Sequence, residues 1–123
     1  MKTRGFEQLR VYGLAEKLSD EVWTTVLKWN TFARQTLGGQ LVRAADSVGA
    51  NIAEGSGRGS YQDNRRFVRM ARGSLFETRH WLRRAYRRQL LTTGQVNNLK
   101  ALIDSLGPKL NAYLKSIGPT NDQ

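Results

Sequence analysis

The sequence predicts an all-α protein, an antiparallel up-down-up-down four-helix bundle, and three observations support this. Apolar residues recur at steps of three and four along four segments, which is the spacing of one helix face. No segment shows the apolar–polar alternation typical of a strand. The 123 residues, 39% of them hydrophobic, suffice for a single domain over residues 1–123. Four amphipathic helices joined by short connections favour a bundle with crossing angles of about 20°.

The first two helices are expected over residues 7–30 and 40–56. The apolar positions of the first helix are Val11, Ala15, Leu18, Val22, Val26 and Trp29. Those of the second helix are Leu41, Ala45, Val48 and Ile52. Between Asn30 and Gly39 the apolar pattern is broken, so this segment is predicted to be the connection between the two helices.

The third helix is expected over residues 60–90. Ser60, followed three residues later by Asp63, predicts an N-cap with an acidic first turn. The stripe that faces the core is predicted to contain Phe67, Ala71, Ser74, Leu75, Thr78, Leu82 and Ala85. A helix of this length, about 45 Å at 1.5 Å per residue, is typical of a bundle.

The fourth helix is expected over residues 93–117. Thr92 and Gln95 have the spacing of a capping box. The apolar stripe consists of Leu99, Ile103, Leu106, Leu110, Tyr113 and Ile117. Pro108 removes one backbone hydrogen bond, but the stripe keeps its phase across this residue. We therefore predict a kink that does not end the helix.

The net charge indicates a polyanionic partner. Twenty Lys and Arg residues against ten Asp and Glu residues give a charge of +10 and a pI near 10.7. Ten arginines lie between Arg58 and Arg88, where the only acidic residues are Asp63 and Glu77, so this segment alone carries +10 − 2 = +8. Such a charge favours nucleic acid first and an anionic membrane surface second.

The third helix is predicted to carry the binding surface, because its arginines fall opposite its apolar stripe at about 100° per residue. The candidate nucleic-acid-binding residues are Arg65, Arg69, Arg72, Phe76, Arg79, Arg83 and Arg87. Guanidinium groups fork onto phosphate oxygens and stack on bases. Few acidic residues lie three or four positions away, which argues against a solvated, charge-paired face. Phe76, in the middle of this face, has two equal interpretations: it stacks a base or it anchors a subunit contact.

The composition excludes several kinds of chemistry. Without cysteine, the chain has no disulfide, thiolate metal site, cysteine nucleophile or iron–sulfur cluster. The single histidine, His80, is interpreted as a surface residue, and the carboxylates are scattered, so we expect no metal, cofactor or acid–base pair. Gly55, Gly57 and Gly59 lack the preceding strand and the Lys-Ser/Thr of a phosphate-binding loop and are interpreted as a tight turn. We expect a protein that is not an enzyme.

The sequence also argues against a membrane partner. No apolar run approaches the roughly 18 residues of a membrane span, and no apolar segment of a secretory signal follows the basic N-terminus. The apolar faces of all four helices are needed for the core, so none remains to insert into a bilayer. We therefore expect a cytoplasmic protein.

A polar stripe on the second helix carries a family resemblance. Residues 40–58 read QLVRAADSVGANIAEGSGR, in which Arg43, Asn51, Glu54 and Arg58 lie beside the apolar positions. This string resembles the "four helix bundle protein" family, the 23S rRNA intervening-sequence proteins, whose founding members are encoded within bacterial 23S rRNA genes. The resemblance extends to residues 6–11 before and at the start of the first helix and to residues 67–77 on the third helix, so it covers most of the chain. Two features depart from the family pattern: the aromatic residue after Val11 is Tyr12, where Trp is often found, and Thr36-Leu37-Gly38-Gly39 stands before the second helix, where a proline is usual.

The resemblance implies more than the fold. The family is similar in fold to the accessory protein of diversity-generating retroelements, a barrel-shaped pentamer that associates with reverse transcriptase and with nucleic acid, which implies a ring-shaped homopentamer. Five polar residues of the matching segments are interpreted as a network of salt bridges and hydrogen bonds that ties the second and third helices together or joins neighbouring subunits, and direct ligand contact is the alternative. The residues of this network are Arg43, Asn51, Glu54, Arg58 and Glu77.

Two hypotheses follow from the sequence as a whole. The first is a non-enzymatic, homo-oligomeric protein that binds RNA or DNA through the arginines of the third helix. The second is a scaffold or accessory subunit whose basic face docks a partner such as a reverse transcriptase. Affinity of the purified protein for nucleic acid distinguishes the two.

Overall fold

Four long helices make up most of the computed structural model, which describes residues 5–119 of the chain. The helices are α1, Arg10–Leu27; α2, Gly39–Ser56; α3, Tyr61–Arg87; and α4, Thr93–Ser116. A 3-10 turn, Phe6–Gln8, precedes α1, and residues 5–119 contain no strand. None of the helices in this range is long and apolar enough to cross a membrane. The prediction of an all-α protein with four helices is confirmed.

The four helices share one apolar core. α1 packs against α2 and α4, and α3 packs against the same two helices. All ten predicted apolar positions of the first two helices are buried, with at most 7% of their surface exposed. On α4, Leu99, Leu106 and Leu110 are buried, whereas Ile103 and Tyr113 pack against the core from its edge. Each fully buried leucine contributes roughly 1.5–3 kcal/mol, so the buried leucines that helical periodicity predicted are among the main stabilising residues of the core.

The segment between α1 and α2 is helical, which corrects the predicted break from Asn30 to Gly39. A helical turn, Thr31–Ala33, and a π-helical turn, Arg34–Gly38, lead directly into α2. The Asn30 side chain accepts a hydrogen bond from the Ala33 N–H at 3.0 Å and caps this run. The chain therefore reverses its direction within a few residues around Asn30, and a new helical segment begins at Thr31.

Gly38 explains why this connection is helical. A Cβ on Gly38 would lie 2.7 Å from Cγ1 of Val26, so the absent side chain lets the π-helical turn pack directly on the end of α1. Trp29 contacts the same turn and is buried. Two adjacent glycines normally mark a break in a helix. Here the close approach of the π-helical turn to α1 requires a glycine at position 38.

Both predicted N-terminal caps are confirmed. The Asp63 N–H donates to Oγ of Ser60 at 3.1 Å. The Gln95 N–H donates to Oγ1 of Thr92 at 3.1 Å, and the Thr92 N–H donates to Oε1 of Gln95 at 2.9 Å, which completes the capping box. α4 continues through Pro108 without ending, as its apolar phase predicted.

α3 ends at Arg87, three residues before its predicted end. Gln89 adopts a left-handed conformation with φ of 62°, which a helix cannot continue. The Leu90 N–H then donates to the Ala85 carbonyl at 3.0 Å and satisfies one of the last carbonyls of the helix. Glutamine is an unusual residue for this position, so no glycine signalled the end of the helix.

Candidate nucleic-acid interface

The seven candidate binding residues form one stripe along α3. Successive members are three or four positions apart, and at 100° per residue they lie within about 80° of the helix circumference. We call them the arginine stripe: Arg65, Arg69, Arg72, Phe76, Arg79, Arg83 and Arg87. From its first to its last residue the stripe is about 33 Å long at 1.5 Å per residue. The structure brings these residues together, and their binding role stays a prediction.

The arginine stripe lies beside α4, not directly opposite the core, which corrects the sequence analysis. The buried residues of α3 are Val68, Ala71, Leu75, Thr78, Leu82 and Ala85. Phe67 and Ser74, which the predicted apolar stripe included, are only partly buried. At 100° per residue, the centre of the buried face therefore lies about 120° from the arginine stripe. It is closer to the arginines than the predicted position on the opposite side of the helix. The reason is that α3 packs on two helices, and its contact with α4 widens the buried face on that side.

Two arginines of the stripe are bound to α4 or to the residue that follows it. Nη1 of Arg65 donates to the Ile117 carbonyl at 2.9 Å, and Nη1 of Arg72 donates to Oδ1 of Asn111 at 3.2 Å. Both arginines are partly buried. Each guanidinium has five N–H donors, so these bonds orient the group and leave further donors for an anion.

The other four arginines of the stripe are exposed: Arg69, Arg79, Arg83 and Arg87. Within residues 5–119, no carboxylate forms a salt bridge with any arginine of the stripe. Like charges three or four positions apart on a helix repel one another. This edge of α3 therefore presents uncompensated positive charge to whatever binds there.

A groove runs along the stripe, between α3 and α4. It contains two cavities, of about 340 and 450 Å³, which share Arg79, Ile103 and Asp104. Leu82, Leu91, Val96 and Leu99 also line the smaller cavity, and Leu75, Phe76, Gly107, Pro108 and Asn111 also line the larger one. The groove thus has an apolar floor with arginines along one rim.

Phe76 lies at the rim of the larger cavity, with 58% of its surface exposed. The Cζ of Arg79 lies 5.9 Å from the centre of its ring, at the outer limit of a cation–π contact. An exposed phenylalanine between arginines contributes little to the core of a subunit. Its position fits both interpretations given by the sequence, a base contact and a subunit contact.

A second group of arginines has a structural role instead. Arg58 and Arg66 lie on the ring of Phe67, with Cζ 5.0 and 4.6 Å from its centre. Arg58 pairs with Glu54 at 3.3 Å and Arg66 pairs with Asp63 at 3.5 Å. The charges of Arg58 and Arg66 are compensated by carboxylates, and both groups contact an aromatic ring. Within residues 5–119 the arginines of the stripe have no carboxylate partner.

The predicted network of Arg43, Asn51, Glu54, Arg58 and Glu77 is largely local. Nδ2 of Asn51 donates to the Ser47 carbonyl at 2.9 Å, and Nε1 of Trp81 donates to Oε2 of Glu77 at 3.2 Å, each within one helix. Arg43 is exposed. Only Arg58 links α2 to α3, by pairing with Glu54 and stacking on Phe67. Glu54 takes part in this link through Arg58, whereas the bonds of Asn51 and Glu77 lie within one helix, and the network as a whole stays a prediction.

The contribution of α4 to this surface is not predicted by the sequence. Asn111 binds a stripe arginine, and Lys100 and Asp104, joined at 2.7 Å, line the groove. Their positions on the flank of an amphipathic helix gave no sign of which neighbour they face. Residues 5–119 contain no group of three or more metal-binding side chains.

The chain matches a known protein family. The profile of a family described as 23S rRNA-intervening sequence protein matches residues 7–112, most of the chain. The match covers α1, α2 and α3 and most of α4, including the whole arginine stripe. No curated protein matches the chain.

Proposed function

Since the chain belongs to the 23S rRNA-intervening sequence protein family, we propose that it is a non-enzymatic, cytoplasmic protein that binds RNA through its arginine stripe. The family description suggests an RNA-related role. One observation carries the proposal: along about 33 Å of α3, six arginines on one edge have no carboxylate partner within residues 5–119. Phosphate groups are the ligands that such guanidinium rows recognise.

The exposed arginines set the expected salt dependence. If the four exposed members of the stripe each neutralise one phosphate, log affinity falls against log salt with a slope of about −3 to −4. Arg65 and Arg72 already donate hydrogen bonds to the Ile117 carbonyl and to Asn111, so we expect them to add less to this slope. DNA carries the same phosphates, so this part of the affinity does not distinguish RNA from DNA.

Fluorescence anisotropy with a structured RNA, a single-stranded RNA and a duplex DNA, each at three salt concentrations, tests the proposal. The Arg69→Glu/Arg83→Glu variant should lose most of the affinity and flatten the slope. The matched control is Arg10→Glu/Lys17→Glu, which changes the charge equally at two exposed basic residues of α1 outside the stripe. Affinity that does not change with salt, or an equal loss in the control, would refute binding by the stripe.

The arrangement of the bundle and its assembly belong to the same proposal. Tyr12 approaches Gly49, and Oγ of Ser19 donates to Oδ1 of Asp46 at 2.9 Å, so residue numbers rise along α1 as they fall along α2. The bonds of Arg65 and Arg72 give the same order for α3 and α4. These pairings support an antiparallel up-down-up-down bundle.

We further propose that the bundle assembles with copies of itself into a homopentameric ring. Large apolar side chains are exposed near the end of α1 and in the helical turn that follows it: Trp23 at 55%, Leu27 at 51% and Phe32 at 77%. Such a patch is typical of an interaction surface. Native mass spectrometry gives the subunit number, and a monomer at micromolar concentration would refute assembly.

A partner protein such as a reverse transcriptase is the second candidate ligand. The groove favours it, because an apolar floor with a basic rim also fits an acidic amphipathic helix. Failure of the purified protein to bind any nucleic acid near physiological salt would favour this candidate over the first.

A further inference from the structure

We propose that the groove between α3 and α4 binds unpaired bases while the arginine stripe holds their phosphates, so that the protein selects single-stranded RNA over duplex. This inference rests on the proposed function and adds the class of RNA. The observation that carries it is the position of an exposed aromatic ring and an apolar cavity directly beside the phosphate-binding groups. Phosphate binding alone requires neither of them.

The chemistry of the larger cavity fits a nucleobase. Leu75, Ile103 and Pro108 provide apolar contacts, and Phe76 stands at the rim with most of its surface exposed. The faces of a base are apolar and stack on aromatic rings and on guanidinium planes, whereas its edges form hydrogen bonds. The amide of Asn111 lies in the same lining and provides a polar group for a base edge. The cavity, about 450 Å³, has room for a base.

The spacing along α3 lets phosphates and a base bind together. Phe76 lies about 6 Å along the axis from Arg72 and about 4.5 Å from Arg79, at 1.5 Å per residue. A strand whose phosphates contact these two arginines therefore passes directly over the ring. Asp104, the one carboxylate in the cavity lining, pairs with Lys100 at 2.7 Å, which compensates its charge toward a phosphate.

Duplex RNA cannot use this arrangement. Its bases are stacked and paired inside the helix, and its deep, narrow major groove does not admit side chains to read them. A duplex would contact the arginines through phosphates alone and leave Phe76 and the apolar floor without a partner. Each base that stacks on an aromatic side chain strengthens single-strand binding by about 5- to 150-fold.

The test compares three RNA probes of about 12 nucleotides, a length within the site size of single-strand binders. The probes are a single strand, the same strand annealed to its complement, and an abasic strand that keeps the phosphates and sugars. Wild-type protein should bind the single strand about tenfold more tightly than the other two. Phe76→Ala should remove this preference and leave affinity for the abasic strand unchanged, whereas Phe76→Tyr should retain it.

Met70→Ala is the control, because Met70 is also an exposed apolar residue of α3 but lies outside the stripe and outside the apolar patch of α1. If all three probes bind equally and Phe76→Ala changes none of the affinities, phosphate binding stands and the base site is overturned. If Phe76→Ala weakens all probes equally and lowers the oligomer mass, Phe76 is a subunit contact and the base site is again overturned. Absence of binding to every probe would refute the proposed function itself.

Discussion

Replacing Gly55 by alanine is expected to destabilise the bundle, although alanine is the better helix former. Gly55 is buried in α2 where this helix crosses α3. A Cβ at this position would lie 2.7 Å from Oδ1 of Asn64, 2.9 Å from Cβ of Phe67 and 3.1 Å from the Asn64 carbonyl oxygen. Carbon atoms pack best at about 3.5–4.0 Å, so α3 must move away by roughly 0.6 Å or more. A side-chain rotation cannot relieve contacts with a Cβ and a backbone oxygen.

The net effect follows from two opposing terms. Overpacking of this kind costs about 1–3 kcal/mol, and alanine in place of glycine in a helix returns up to about 1 kcal/mol. We therefore expect a loss of about 1–2 kcal/mol. With an unfolding entropy of about 2.1 cal/mol/K per residue, this lowers Tm by about 4–8 °C. Far-ultraviolet circular dichroism at a fixed protein concentration measures the shift, since assembly makes Tm depend on concentration.

Two other helical glycines provide the controls. A Cβ on Gly73, which is exposed on α3, would meet no atom within 4 Å, so Gly73→Ala should raise Tm by about 2–4 °C. A Cβ on Gly49, which is buried against Tyr12 and Ala15, would make ordinary contacts of 3.5–3.8 Å, so this change should be tolerated. A Gly55→Ala protein as stable as the Gly73→Ala protein would refute the close helix approach.

Three further predictions follow from the fold. Thr92→Ala removes half of the capping box with Gln95 and should cost about 1 kcal/mol in urea unfolding, whereas Thr92→Ser should not. Leu106→Ala empties a fully buried site and should cost about 2–5 kcal/mol, and a loss below 1 kcal/mol would place Leu106 outside the core. Burial and the nearby Glu16 carboxylate raise the pKa of Tyr12 above its ordinary value of 10.0. Unfolded Tyr12 therefore loses its proton first, stability should fall as the pH rises above about 10, and Tyr12→Phe should lessen this fall.

The parts of the fold that could be predicted depend on local rules. The steps of three and four that gave Leu18 and Ile52 as core residues need no knowledge of the neighbouring helix. The caps at Ser60 and Thr92 depend on residues three positions away. In contrast, the helical connection at Gly38 depends on its close approach to Val26 in another helix, so the pair of glycines wrongly predicts a break.

The candidate site likewise has one part that follows from local rules and one part that depends on contacts between helices. The membership of the arginine stripe follows from 100° per residue, and the structure keeps all seven residues on one edge. The groove beside Phe76 is not among the predictions, because it depends on which flank of α3 faces α4. Val68 carries this information but is absent from the predicted apolar stripe, and its burial shifts the core toward the arginines.

The uncompensated stripe also predicts a conflict between stability and binding. Arg83 lies four positions from both Arg79 and Arg87, and each like-charge pair at this spacing costs about 0.2–0.5 kcal/mol on an exposed helix. Arg83→Gln should therefore stabilise the free protein by up to about 1 kcal/mol at low salt, and this gain should vanish near 1 M salt, where charges are screened within about 3 Å. The same variant should bind RNA more weakly. Urea unfolding at both salt concentrations measures the first effect, and a variant less stable than wild type at low salt would mean that Arg83 has a stabilising partner. An arginine that weakens the free fold and strengthens RNA binding has a role in binding. An arginine that served only to keep the protein soluble would not strengthen RNA binding.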